Sequence, residues 1–197
     1  PIPRRRPHLA YVVEKYLPGT LSLAAAAMGA GLSIPFAFLR PFAVEMKLGN
    51  VGLYFAVYAS TAFVARVASR SLFEKHGNRP WILAGMACLA VSYAAYVPVT
   101  RTWELAFPAA IAGVAHALLF PSVMAAGTGA FPRRFLGVAT SLMLAMFDVG
   151  TLVGAPVVGE FLHVAKESGW PAYPAMWSGT AVSLALVTLV VWTSRTK

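Results

Sequence analysis

Long apolar runs, separated by short polar breaks, dominate the chain. Six such runs cover residues 17–39, 51–72, 80–97, 103–129, 135–162 and 174–192. An α-helix rises about 1.5 Å per residue, so about 20 residues cross the hydrocarbon core of a bilayer. The breaks contain charged residues, proline or glycine, which a lipid-facing helix does not easily hold. The pattern predicts an all-α membrane protein, a bundle of six transmembrane helices.

The basic residues of the breaks predict the orientation of this bundle. Twelve of the 16 Lys and Arg residues fall on one side of the predicted membrane and four on the other. Basic residues in short loops stay on the cytoplasmic side, so both termini are predicted to be cytoplasmic. All five tryptophans lie at or near the ends of predicted spans, where indole rings suit the headgroup region.

Composition agrees with a bilayer environment. Hydrophobic residues make up 58% of the chain and charged residues 12%, whereas soluble domains carry about a quarter charged residues. The cytoplasmic loops account for the net charge of +9, so no nucleic-acid partner is expected. The single cysteine, Cys88, excludes a disulfide framework and a cysteine-based zinc site. Neither a metal nor a cofactor is predicted.

The two ends of the chain lie outside the predicted spans. The first residues are basic, lack an initiator methionine and show no signal-peptide cleavage site. We interpret residues 1–16 as the end of a cytoplasmic linker in a longer chain. Residues 17–194 then form the transmembrane bundle, and residues 195–197 form a cytoplasmic tail.

Charged residues and a glycine recur at fixed spacing from the end of the second run through the break that follows it. The positions concerned are Arg66, Glu74, Lys75, Gly77 and Arg79. They resemble the short cytoplasmic loop of the major facilitator superfamily, although Arg70 stands where that family usually has glycine. The resemblance implies a charge cluster that holds the cytoplasmic side shut. Alternatively, Lys75 and Arg79 act only as topology determinants in a solvated loop.

Small residues recur in the fifth run, at Gly150, Gly154 and Gly159, together with Pro156. Glycines four apart place two small residues on one helix face, where a neighbouring helix can approach closely, and proline allows a bend. The pattern is similar to the glycine-proline motif of superfamily antiporters. The resemblance covers nearly the whole chain and implies the carboxyl-terminal half of such a transporter, family helices seven to twelve, since the fourth run lacks the arginine of a first half.

Asp148 is the only acid deep within a predicted span. Ionisable side chains at this depth usually face the bundle interior or an aqueous cavity. Asp148 shares a helix face with Ser141 and Thr151, which become candidates for lining a solute cavity. We expect Asp148 to carry the proton that couples transport. A permanently paired structural acid is the alternative.

Three further side chains are candidates for the solute cavity. Tyr54 and Tyr58 lie one helical turn apart in the second run, and His116 lies near the middle of the fourth. Tyrosines can equally pack in a core. The histidine can bind solute or share a proton with Asp148, or it can be a neutral packed donor.

Motifs of hydrolases, metalloproteases and nucleotide-binding enzymes are absent from the sequence, so no enzyme is expected. The resemblance implies a secondary active transporter that moves a small-molecule solute by alternating access, together with an amino-terminal six-helix half. Proton-coupled efflux across a bacterial inner membrane is the specific expectation. Two alternatives stay open: a homodimeric six-helix channel or half-transporter, and a non-transporting membrane scaffold or receptor of the same fold.

Overall fold

Helices account for almost the whole of the described chain. The computed structural model describes residues 8–194, apart from the side chains of residue 9 and residues 71–76. The helices in this range are α1 Leu9–Tyr16, α2 Gly19–Glu45, α3 Gly52–His76, α4 Arg79–Ala94, α5 Ala106–Gly129, α6 Leu136–Glu167 and α7 Ala172–Thr193. Short 3-10 turns, Thr102–Leu105 and Arg133–Phe135, precede α5 and α6. The predicted all-α class is therefore confirmed for residues 8–194.

The predicted count of six helices is not confirmed, because the described chain contains seven. The additional helix, α1, forms within the segment predicted as a linker. Within the described residues, four segments are long and apolar enough to cross a membrane: Gly19–Glu45, Thr102–Gly129, Arg133–Glu167 and Ala172–Thr193. Of the other two long helices, α3 contains Arg66 and Arg70, and α4 has only 16 residues.

Several helices end at different residues from those predicted. The Arg40-Pro41 pair was expected to end the first span, yet α2 continues through it to Glu45. An interior proline removes one backbone hydrogen bond and crowds the carbonyl four residues earlier, but membrane helices tolerate it, and α2 contains both Pro35 and Pro41. The helix ends where Lys47 adopts a left-handed conformation, with a φ of 53°. Similarly, α6 extends to Glu167, beyond the predicted end at residue 162.

The long helices pack mainly in pairs. The most extensive contact is between α2 and α6, followed by α3 with α5, while α4 lies between α5 and α7. Aromatic side chains fill one end of the core between α2, α3, α4 and α7. Trp177 and Tyr96 stack there with ring centroids 4.3 Å apart, and the Tyr93 hydroxyl donates a hydrogen bond to the Gly31 carbonyl.

Small residues allow the backbones of α2 and α6 to cross closely. A Cβ atom at Gly150 would overlap the carbonyl oxygen of Ala26, and one at Gly154 would lie 2.7 Å from the Ala30 Cβ. These two of the four predicted packing residues therefore face α2. Gly159 has only an ordinary contact, 3.5 Å from a Phe38 ring atom. Pro156 is exposed within α6.

The short helix α1 is attached to the start of α6. Val12 is buried there beside Phe131 and Ala139. The Tyr16 ring lies 6.0 Å from the Phe131 ring and 6.2 Å from the Phe135 ring. The residues that enter the first long helix are thus held by an apolar contact.

Candidate functional site

A hydrogen bond between Tyr58 of α3 and His116 of α5 marks the candidate site. The Tyr58 hydroxyl group bonds to Nδ1 of the His116 ring. Gly113 brings the two helices close enough, because a Cβ at this position would lie only 2.6 Å from the Tyr58 carbonyl oxygen. The sequence suggested both residues separately as cavity candidates. The structure joins them into one polar pair.

Phenylalanine rings surround this pair from three helices. Phe36 of α2 meets the Tyr58 ring edge-on, with centroids 6.3 Å apart. Phe120 of α5 lies 5.9 Å from the His116 ring and 6.2 Å from Phe147 of α6. We refer to these five residues, Phe36, Tyr58, His116, Phe120 and Phe147, as the His116 cluster. It connects α2, α3, α5 and α6.

Arg66 lies at the edge of the His116 cluster. Its guanidinium carbon is 6.0 Å from the centroid of the Phe120 ring, which is within cation–π range. Its charge also acts electrostatically on Tyr58 and His116. Arg66 is exposed, and no ion pair involves it among the side chains that the structure describes. A cation therefore stands beside the polar pair.

Tyr54 supports the site from within the core. It is only 1% exposed, and its ring lies parallel to that of Tyr58, with centroids 6.1 Å apart. On another side it contacts Tyr96, at 6.0 Å. Tyr54 thus contacts the cluster through Tyr58, and its role in lining a solute cavity stays a prediction.

The polar residues predicted to share a face of α6 have different surroundings. Asp148 is exposed and has neither a hydrogen bond nor an ion pair within residues 8–194. Ser141 is also exposed, in a shallow groove that includes Val13 and Ala145. Thr151 is half-buried, and its hydroxyl donates to the carbonyl oxygens of Gly29 and Phe147, at 3.3 and 3.2 Å. Only Thr151 is held inside the bundle.

The predicted gate residues contact different parts of the bundle. Arg79 donates hydrogen bonds to the carbonyl oxygens of Trp192 and Ser194, at 2.7 and 3.0 Å, and so caps the end of α7. Gly77 joins α3 to α4 with a φ of 69°, a conformation that favours glycine. The side chains of Glu74 and Lys75 lie outside the described residues.

Sequence reasoning missed the phenylalanines of the cluster and one ion pair. An apolar residue in an apolar helix carries no signal that separates a site wall from the core. The ion pair joins Lys166 of α6 to Glu45 of α2, with a nitrogen–oxygen distance of 2.8 Å. Glu45 and Lys166 lie 121 positions apart, so the sequence carries no signal for this contact.

Comparisons with known proteins address the chain as a whole. A family model described as Major Facilitator Superfamily matches residues 19–197. Two curated proteins of Agrobacterium vitis, each named a putative tartrate transporter, are 26% identical to the chain over 149 residues, or 74% of its length. The matches cover 32% and 34% of those relatives, so the chain spans about a third of their length.

The family match includes α2 to α7 and every residue of the His116 cluster. It confirms the resemblance that the loop motif and the fifth run suggested. Together with four helices long and apolar enough to span a bilayer, it indicates an integral membrane protein. The chain belongs to the Major Facilitator Superfamily.

Proposed function

We propose that the chain is the carboxyl-terminal half of a secondary active transporter, which moves a small solute by alternating access. The observation that carries this proposal is the Tyr58–His116 hydrogen bond with Arg66 beside it, at the junction of four helices. Polar and ionisable groups at membrane depth are costly, and in transporters they mark solute or ion pathways. Superfamily membership supports the same function.

The uneven burial of the helices supports a second six-helix half as partner. In the most apolar stretch of α6 only 17% of the residues are buried, against 56% in α2. A second half packed on α6 would cover its apolar residues and enclose Asp148 between the halves. Solute sites of such transporters lie near the membrane midplane, between the repeats.

Asp148 is the proposed carrier of the coupling proton. It is exposed on α6 and pairs with no described side chain, and an ionisable residue within a membrane span usually faces the bundle interior or an aqueous cavity. We propose proton-coupled efflux in a bacterial inner membrane, with both termini in the cytoplasm. Because two relatives are named putative tartrate transporters, tartrate is the first solute to test.

The test is solute-driven proton flux in proteoliposomes that contain the whole transporter. We expect a tartrate gradient to drive proton movement in the wild type, and Asp148→Asn to lose this proton movement while still binding the solute. Glu160→Gln is the matched control, since Glu160 is another exposed acid of α6. We expect this control to behave like the wild type.

Other results separate the competing functions. Equal proton flux in wild type and Asp148→Asn would reject Asp148 as the coupling residue. Absence of flux with tartrate and with a panel of sugars, drugs and organic acids would favour the scaffold or receptor. Solute conduction by this chain alone, as a homodimer, would favour the channel or half-transporter. Vesicles of opposite orientation distinguish efflux from uptake.

A further inference from the structure

We infer that Arg66 and the Tyr58–His116 pair form a subsite for one carboxylate group of the transported solute. This inference rests on the proposed transport function and names the chemical class of the solute, a small organic acid. Tyr58 and His116 are hydrogen-bonded between α3 and α5. Arg66 lies about two helical turns beyond Tyr58 on α3 and adjoins the pair through Phe120, whose ring also contacts His116. Phe36 and Phe120 border them with apolar rings.

The hydrogen-bonding capacity of the subsite favours an acceptor. If the Tyr58 hydroxyl donates to Nδ1 of His116, the histidine keeps an N–H at Nε2. If Nδ1 donates to the hydroxyl oxygen instead, the tyrosine keeps its O–H donor. The pair therefore retains one free donor in either tautomer. Arg66 adds a guanidinium group, which only donates.

The charge of the subsite is not neutralised by the described part of the protein. Three carboxylates are engaged elsewhere: Glu45 with Lys166, Glu104 with the backbone of Thr100 and Arg101, and Glu167 with His163. No described acid pairs with Arg66. A guanidinium group binds a carboxylate with two parallel hydrogen bonds. A carboxylate solute therefore neutralises the charge of Arg66 and accepts hydrogen bonds from its N–H groups.

The rings beside the subsite strengthen this preference. Phe120 lies 6.0 Å below the Arg66 guanidinium carbon and 5.9 Å from the His116 ring, so it holds both groups against one apolar surface. Tyr58 and His116 are half-buried, and electrostatic attraction is stronger where water is partly excluded. A carboxylate would therefore bind here more tightly than an uncharged hydroxyl or ester group.

The test measures binding to the whole transporter in detergent by isothermal titration calorimetry. The ligands are lactate, succinate and malate, each compared with the ester in which every carboxylate is methylated, which keeps the carbon skeleton and removes the charge. We expect Arg66→Gln to weaken binding of the acid about 10- to 100-fold, the effect of losing charged hydrogen bonds, and to leave ester binding unchanged. Tyr58→Phe should weaken binding of the acid less.

Two variants serve as controls. Arg66→Lys keeps the charge but lacks the bidentate geometry, so it should recover part of the affinity. Arg70→Gln removes an exposed cation one turn along α3 and should bind like the wild type. Structural damage lowers the affinities for acid and ester together and leaves their ratio unchanged. Loss of the carboxylate contact lowers only the affinity for the acid.

The outcomes distinguish this inference from the proposed function. Wild-type protein that binds none of the three acids, or Arg66→Gln that keeps the wild-type ratio of acid to ester affinity, would overturn the carboxylate subsite. Transport of an uncharged solute would then leave the proposed function intact. Conversely, Arg66-dependent binding without transport in proteoliposomes would keep the subsite and reject the transporter.

Discussion

Two helix crossings use glycine in the same way and lead to different chemistry. At α2 and α6, Gly150 faces the Ala26 carbonyl, and Gly29 faces the Phe147 carbonyl. At α3 and α5, Gly113 faces the Tyr58 carbonyl. Small residues let the backbones approach in both places. The first crossing therefore builds the scaffold, whereas the second also positions a tyrosine, a histidine and an arginine.

The difference shows that glycine spacing predicts close packing without predicting function. The glycines of α6 form a visible pattern four residues apart, and they contact small residues of α2. Gly113 has no glycine four residues before or after it, where Ala109 and Ala117 stand instead. Its importance follows from its place three residues before His116 and opposite Tyr58. Substitutions at the two crossings should therefore have different effects.

The largest effect is expected at the α2–α6 crossing. Gly150→Ala places a Cβ on the Ala26 carbonyl oxygen, so the helices must separate. We expect a loss of about 3 kcal/mol of stability, measured by thermal unfolding of the purified transporter. Gly137→Ala on the same helix is the control, since a Cβ there meets no atom within 4 Å. Equal melting temperatures for both variants would contradict the tight crossing.

A smaller stability loss with a larger binding loss is expected at the α3–α5 crossing. Gly113→Ala pushes against the Tyr58 backbone and the Thr61 side chain, and should cost about 2 kcal/mol. The shift also separates Tyr58 from His116, so affinity for an organic acid should fall about tenfold. Calorimetric titration checks this result. Unchanged affinity in a destabilised Gly113→Ala protein would show that this crossing, like the first, serves only as scaffold.

A third contact, between α4 and α7, tests whether a charged loop residue also serves the scaffold. Arg79→Gln loses the hydrogen bonds to the Trp192 and Ser194 carbonyls. We expect a loss of about 1 kcal/mol, seen as a lower melting temperature. Arg133→Gln, which removes an exposed cation with no described partner, should leave the melting temperature unchanged. If Arg79→Gln alters transport and leaves the melting temperature unchanged, Arg79 acts in the cytoplasmic gate and does not stabilise the fold.

The smallest effect is expected at the exposed end of the α2–α6 crossing. Glu45→Gln removes the ion pair with Lys166, in which both side chains are about half exposed. Such pairs contribute about 0.5 kcal/mol, and salt screens them. Thermal unfolding at low and high salt should show a small difference that disappears at high salt. If Glu45→Gln lost as much stability as Gly150→Ala, the ion pair would stabilise this crossing as much as the close backbone contact does.

Much of the fold could be predicted from the sequence, and less of the site. Apolar runs located the long helices, although α2 passes through Pro41 and α1 forms where a linker was expected. Tyr58 and His116 were recognised as candidates, but as separate ones. The exposure of Asp148 and the burial of Tyr54 could not be predicted, because a periodic pattern does not show what covers each face of a helix.

The sequence by itself determined the membrane environment, the helical class and the family. Lipid cannot satisfy backbone hydrogen bonds, so every spanning segment must be a long apolar helix, which can be recognised locally. Tertiary structure alone decided that Tyr58 meets His116, 58 positions away, and that Phe120 lies under Arg66. Those contacts depend on how α3 and α5 pack, since side chains distant along the chain meet only where two backbones approach.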